Sequence, residues 1–264
     1  MKISIYTSLF NIPKYFPKFR ENFTNYLLLA DELVIATIKD NPEDYALLIE
    51  ESKKDSRIKV ILTDLVKFHP DFDGALKNAA LQECSGDILI QLDGDEKISD
   101  YNVEEWRKYC EQLLKNPYFQ AYYVPSINLH KDVTQFSSIG QKWYVHKRGL
   151  FRGVVKFARR ADGTHDTSAS DSCELIDKQG NLVLTGEIAP RNRFSLEEYA
   201  EWLKSNNLPV IFHYGYSDLD RRIEINRDFW QKMWSAEEGK KVEIPLDLNG
   251  LNKIIYKHNF NLPK

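Results

Sequence analysis

The stretch ILIQLDGDEKIS, residues 88–99, decides how this chain is read. An apolar run of the kind that forms a buried strand ends in Asp93, Gly94, Asp95 and Glu96. Carboxylates set side by side at the edge of a core repel each other unless something positive sits between them. A solvated turn explains one Asp-Gly pair, since both residues favour turns, but not the further acids. A calcium loop beginning at Asp93 would put Lys97 and Ile98 where a ligand and a glycine are required, and it would follow a helix rather than a strand. A divalent cation, Mg²⁺ or Mn²⁺, remains. It would be held by one or two carboxylates, with phosphate and water completing its shell.

Working outward, the run is the fourth of a series. Residues 3–9, 32–39, 58–64 and 87–92 read as strands, and 17–30, 42–54, 74–85 and 102–116 as helices between and after them. Pro42 opens its helix and acids fill the first turn, as the helix dipole favours. Strands alternating with helices imply βαβ units and a parallel sheet, and the nearly unbroken apolar character of VIATI, VIL and ILIQL suits strands covered on both faces. In such a sheet ligands bind beyond the carboxyl ends of the strands. Thr7 and Ser8, Asp40 and the acidic cluster all lie at such ends.

The pattern then changes. Segments 121–130 and 142–152 read as strands, 195–206 as a helix opened by a Ser195–Glu198 capping box, 209–216 as a short buried strand, and 218–238 as a helix. One compact unit is expected, with a nucleotide-binding half over residues 1–125 and a mixed half over 126–264.

Composition sets the outer limits. The 264 residues suffice for a sizeable core, and 42% apolar with 28% charged residues is ordinary for a folded domain. A net charge of −3 exerts no global pull on nucleic acid or anionic membrane. No uninterrupted apolar segment is long enough to span a bilayer, and the N-terminus lacks a signal-peptide pattern. The odd, widely spaced Cys84, Cys110 and Cys173 fit reduced thiols in a cytoplasmic protein.

Asn78-Ala79-Ala80, followed by Ser85 to Glu96, resembles the RN-x-A…A-x-GD-hydrophobic-LD-x-DE signature of family 2 glycosyltransferases of the GT-A fold. The resemblance covers about the first 125 residues in order. It implies an α/β, GT-A-like, mostly parallel sheet with a mixed α+β acceptor-side half. It also implies a nucleotide-sugar donor, most plausibly a UDP-sugar, and inversion at the sugar. Asp95 would be the direct metal ligand and Asp93 a contact to the metal or the ribose. Asp40 would read the base, and Thr7, Ser8, Lys77 and Asn78 would line the donor. Lys77 stands where the family has arginine, a point charge instead of a fork toward phosphate.

Inverting transfer needs a carboxylate to take the acceptor's proton. Candidates are Asp162, Asp166, Asp171 and Glu174. Arg148, Phe151, Arg152, His165 and Asp166 resemble the family's R-x-x-x-F-R…H-E, which implies Asp166 as the base and Arg148 and Arg152 as donor contacts. His213, in VIFHYGY, would complete the metal or diphosphate site, and Arg221 and Arg222 follow it on a helix read as solvated. Residues 142–160 carry seven Lys or Arg and no acid, which suits the diphosphate or an anionic acceptor, a glycan or DNA, with Trp143 and Tyr144 as stacking faces. Trp202 and Trp230 read as packing.

Two alternatives stand beside this reading. A nucleotidyltransferase would have a glycine-rich loop after the first strand, whereas no glycine precedes Gly74. A glycan- or nucleotide-binding module without catalysis would have no need of the acidic cluster.

Overall fold

The computed structural model describes residues 1–65, 72–130, 134–148, 151–155, 173–177, 183–189, 194–232, 235, 256–257, 260 and 262–263. In chain order the strands are β1 (Ile3–Ser8), β2 (Glu32–Ile38), β3 (Ile58–Thr63), β4 (Ile88–Gln91), β5 (Glu96–Ile98), β6 (Ala121–His130), β7 (Gln135–Lys147), β8 (Phe151–Val155), β9 (Cys173–Asp177), β10 (Thr185–Glu187), β11 (Ile211–Tyr216) and β12 (Tyr256–Lys257). The helices are α1 (Ile12–Tyr15), α2 (Phe19–Tyr26), α3 (Pro42–Lys54), α4 (Phe72–Gln82), α5 (Val103–Lys115), α6 (Leu196–Ser205) and α7 (Leu219–Ile225).

Ten of these strands form one sheet, whose main path runs β3-β2-β1-β4-β7-β6-β11-β5. The pairs β3-β2, β2-β1 and β1-β4 are parallel. The sheet continues through antiparallel β4-β7 and β7-β6, parallel β6-β11 and antiparallel β11-β5. The α/β, mostly parallel sheet expected from the sequence is present, with a mixed second half built onto β4. β8 and β9 pair apart from it.

Period-two alternation in the strands divides the core between the two faces of the sheet. Ile3 and Ile5 of β1 belong to the cluster containing Phe23, Trp106 and Cys110, under α2 and α5. Tyr6 belongs to the other, with Phe72 and Leu76 of α4 and Phe229. Thr7 therefore turns toward the first face and Ser8 toward the second.

Several elements differ from the sequence reading. The expected helix over 17–30 is shorter, because a separate one-turn α1 precedes it. The strand read at 142–152 begins at Gln135 and ends at Lys147. The helix after β11 has a π turn at Asn226–Trp230, and the extra residue rotates its buried face to Ile225, Asn226 and Phe229. β5 lies within the acidic stretch and is too short to show a period. Among the described residues no helix is long and apolar enough to cross a membrane. Cys84 and Cys110 are buried free thiols, and burial pushes each up to about 12.

Candidate functional site

The opening strand-end stretch is a tight turn between β4 and β5, and Glu96 holds it closed. Glu96 is 1% exposed. Its Oε2 accepts the Asp93 backbone N–H at 2.8 Å, and its Oε1 accepts the Tyr144 hydroxyl at 2.7 Å. The Tyr26 hydroxyl bonds the carbonyls of Asp93 and Glu96, both at 2.8 Å, and Asn22 donates to the Gly94 carbonyl at 2.6 Å. A Cβ on Gly94 would run into Leu9 and Phe16. With its backbone fixed from behind, the turn presents Asp93 and Asp95.

Their side-chain partners come from α4, β4 and β11. Lys77 of α4 reaches Asp93 Oδ1 at 3.0 Å and Asp73, one turn back, at 3.2 Å. Gln91 donates to the same Asp93 oxygen at 2.7 Å. His213 of β11 brings Nε2 to 3.4 Å from Asp95 Oδ2. Its Nδ1 lies 2.6 Å from Asn128 Oδ1 on β6. Paired with an acceptor oxygen, Nδ1 carries the proton, and Nε2 is left to face Asp95. Asn128 therefore orients the ring. β11 sets that register, with His213 opposite Asn128 of β6 on one side and Glu96 of β5 on the other. Gly215 makes the approach possible, since a Cβ there would stand 2.6 Å from His213 Nε2 and 2.8 Å from Asp95 Oδ2.

The electrostatics follow from this packing. Burial works to raise the Asp95 carboxyl, but the charge and hydrogen bond of His213, aided by Arg222, outweigh it and hold the group below its usual value. Burial likewise works to lower His213, and Asp95 and Glu96 outweigh it, so the imidazole is raised. The two groups thus favour each other's charged form.

These groups open into a cleft of about 190 Å³. Its lining includes the charged Asp73, Lys77, Asp93, Asp95, His213 and Arg222 and the aromatic Phe10, Tyr15, Phe16, Phe229 and Trp230. Asp44 anchors the loop that supplies Phe10, Tyr15 and Phe16. It is fully buried on α3 and accepts from the backbone of Asn11 and, at 2.8 Å, of Ile12.

Of the residues expected from the sequence, Ser8, Lys77, Asp93, Asp95 and His213 are brought together in this cleft. Thr7 is fully buried, and Asp40 is exposed in the turn after β2. Asn78, half-buried beside Lys77, is not among the groups lining the cleft. Arg148 stands at the far end of β4, where its side chain donates to the Ser85 carbonyl at 2.9 Å. The reason is strand direction: β7 runs antiparallel to β4 with Lys147 opposite Ile88, so the chain leaving β7 emerges at the start of β4. Arg152 is described only through its backbone, paired with Ile176 of β9. Asp162, His165, Asp166 and Asp171 lie outside the described residues, as does the basic segment beyond Val155. Lys147 bonds the Asn116 carbonyl, and Tyr144 is buried against Glu96, not open for stacking. Asn128 and Gln91 carry no motif signal, and Gly215 only its place in the HYG triplet. Arg222, expected on a solvated helix, lines the cleft.

A resident ion was tested against the donor set. Neighbouring ligands of an octahedral ion at about 2.1 Å stand roughly 3 Å apart. The 3.4 Å between Asp95 Oδ2 and His213 Nε2 suits such a pair. Among the described residues no group of three His, Cys, Asp or Glu side chains could hold a metal ion by itself. A cation here would need phosphate or water to complete its shell.

No protein-family model and no curated protein matches the chain. Among solved structures it is similar to residues 1–349 of S. aureus TarS, at 14% identity over 92% of this chain and 67% of that one, with a TM-score of 0.39. It is also similar to glucosyl-3-phosphoglycerate synthase from Mycobacterium tuberculosis, solved with Mn²⁺, UDP and glucosyl-3-phosphoglycerate, at 19% identity, 50% and 46% coverage and TM-score 0.32. A third is 4-diphosphocytidyl-2C-methyl-D-erythritol synthase from Anaerococcus prevotii, at 12% identity, 67% coverage of each chain and TM-score 0.32. The chain spans about two thirds or less of each of these.

Proposed function

We propose that the chain is a metal-dependent glycosyltransferase that moves a sugar from a nucleotide-sugar donor, a UDP-sugar in the first instance, to an acceptor hydroxyl. The observation that carries this reading is the convergence of Asp93, Asp95 and His213 with Lys77 and Arg222 in a cleft that aromatic side chains also line. A base and a sugar need apolar and stacking surfaces, and a diphosphate needs cations. The cleft supplies both, at the carboxyl end of β4, where ligands of parallel sheets bind.

Asp95 and His213 would hold Mn²⁺ or Mg²⁺, with Asp93 beside them. The ion would neutralise charge building on the leaving diphosphate. Lys77 and Arg222 face the same charge and hold it in place. Ser8 lies at the end of β1, where the donor's nucleotide would enter. Asp166 is the proposed base that takes the acceptor's proton. An acceptor with its own negative charge fits the cationic surroundings better than a neutral one.

The test is UDP release from a panel of UDP-sugars with and without Mn²⁺. Metal-dependent release is expected, and Asp95→Ala should lower it at least a hundredfold while the thermal melting point stays within a few degrees of wild type. Full activity in that variant, or release indifferent to chelator, would sink the metal role. UDP binding with no turnover on any donor or acceptor would leave a binding module instead.

A further inference from the structure

Behind the acidic turn lies a second cavity, of about 460 Å³, which shares Gly94 and Asp95 with the cleft. Three cations line it, Lys18, Lys97 and Arg221, with three carboxylates, Glu21, Asp95 and Asp218. Each carboxylate is engaged, Asp95 by His213. Asp218 caps α7 by accepting the Arg221 backbone N–H at 3.0 Å, and Glu21 Oε2 lies 3.5 Å from Lys97 Nζ. The Lys97 side chain is only 5% exposed, and its ammonium lies 5.6 Å from the centre of the Tyr214 ring. Arg221 Nε is buried and has no hydrogen-bond partner among the described residues. A buried guanidinium N–H without an acceptor is costly, and a bound anion would provide one through a charge-assisted bond. The cavity thus combines clustered cationic side chains, an unused buried donor and a wall in common with the reaction cleft.

We infer that this cavity is an anion subsite for the acceptor, taking a phosphate or carboxylate group carried by the molecule whose hydroxyl reacts in the cleft. The inference rests on the transferase reading of the cleft, and it names the class of acceptor: a charged molecule. Such an acceptor would place its anionic group against Arg221 and Lys97 and reach past Gly94 and Asp95 with its hydroxyl.

The experiment titrates inorganic phosphate and, separately, glucose 6-phosphate into the full chain already saturated with UDP and Mg²⁺, so that the diphosphate groups of the cleft are occupied. Calorimetry should show one further site, with glucose 6-phosphate at least several-fold tighter than phosphate. Arg221→Gln and Lys18→Gln, at half-buried and exposed positions, should each weaken it about tenfold with unchanged melting points. Lys97 is buried, so its replacement is not used. Absence of a phosphate site in the UDP-loaded chain, or wild-type affinity in Arg221→Gln, overturns the inference. Equal affinity for the two probes overturns the acceptor assignment and makes the cavity a site for free anions. Should UDP itself not bind, the reading of the cleft falls separately. Phosphate titration of the UDP-free chain, with and without Arg221→Gln, then still decides whether the cavity holds an anion.

Discussion

Glu96 has a purpose that its neighbours in sequence do not reveal. It is not a third ligand in waiting but the strut of the turn, bonded to the Asp93 N–H on one side and the Tyr144 hydroxyl on the other. Glu96→Ala strands both groups in the interior, at about 1–3 kcal/mol each. Urea unfolding should therefore show a loss of about 3 kcal/mol, and Mn²⁺-dependent turnover should fall roughly tenfold to a hundredfold, as for other residues that hold ligands in place. Loss of activity with no loss of stability would instead make Glu96 a direct contact to the ion or donor. The limit of local reading is clear at this scale. Asp93 and Asp95 are legible because a strand end and an acidic spacing lie in one stretch. Asp44 is not, because its task is to bond backbone N–H groups at Asn11 and Ile12, far upstream. In the same turn region Asp40, the more conspicuous acid, is left in solvent.

Among the elements, β11 does most to complete the site. It inserts between β6 and β5 and delivers His213 and Gly215 together. Gly215→Ala puts a methyl group where His213 and Asp95 meet, and neither can retreat without losing Asn128 or the turn. Metal-dependent turnover should drop at least tenfold, with a stability cost of about 1–3 kcal/mol from overpacking. Unchanged metal dependence in that variant would mean that the pair is not the ion site. Elements whose signals are local were readable in the sequence. The α3 helix runs from its opening proline over the expected span, and the Ser195–Glu198 capping box of α6 forms with both reciprocal bonds. Elements fixed by tertiary pairing were not readable. β5 has only three residues and exists because β11 lies beside it, and the π turn after α7 shifts a buried face that a regular helical period would place elsewhere.

Over the whole molecule, β7 is the seam, joining the parallel strands to the mixed half through β4 and β6. His146 sits in it, fully buried, with Nε2 3.0 Å from the Tyr6 hydroxyl of β1. Burial pushes its imidazole down to about 3, against about 6.5 in the unfolded chain. The sign follows directly. Above about pH 6.5 the ring is neutral in both states and costs nothing. Below it the unfolded chain binds a proton that the folded chain refuses, and stability falls by about 1.4 kcal/mol per pH unit until the folded value is reached. Wild type should therefore lose about 2 kcal/mol more than His146→Gln between pH 6.5 and 5, measured by urea unfolding at each pH. Equal losses would show that the ring titrates normally. The general architecture was legible from alternating strands and helices. The attachment of the second half was not, since nothing in a β-rich sequence tells which strand β7 will pair with. The pairing of β7 with β4 leaves Arg148 at the start of β4, away from the acidic turn.

The distance in sequence between Asp95 and His213 has a consequence for how the protein is made. The acidic turn is synthesised early, but its imidazole arrives only when residues 211–216 pair with β6 and β5. Such long-range insertion is slow relative to local pairing. A nascent or truncated chain that stops short of β11 therefore carries the acids but not their partner. On the proposed reading of the cleft, turnover begins only once β11 is in place.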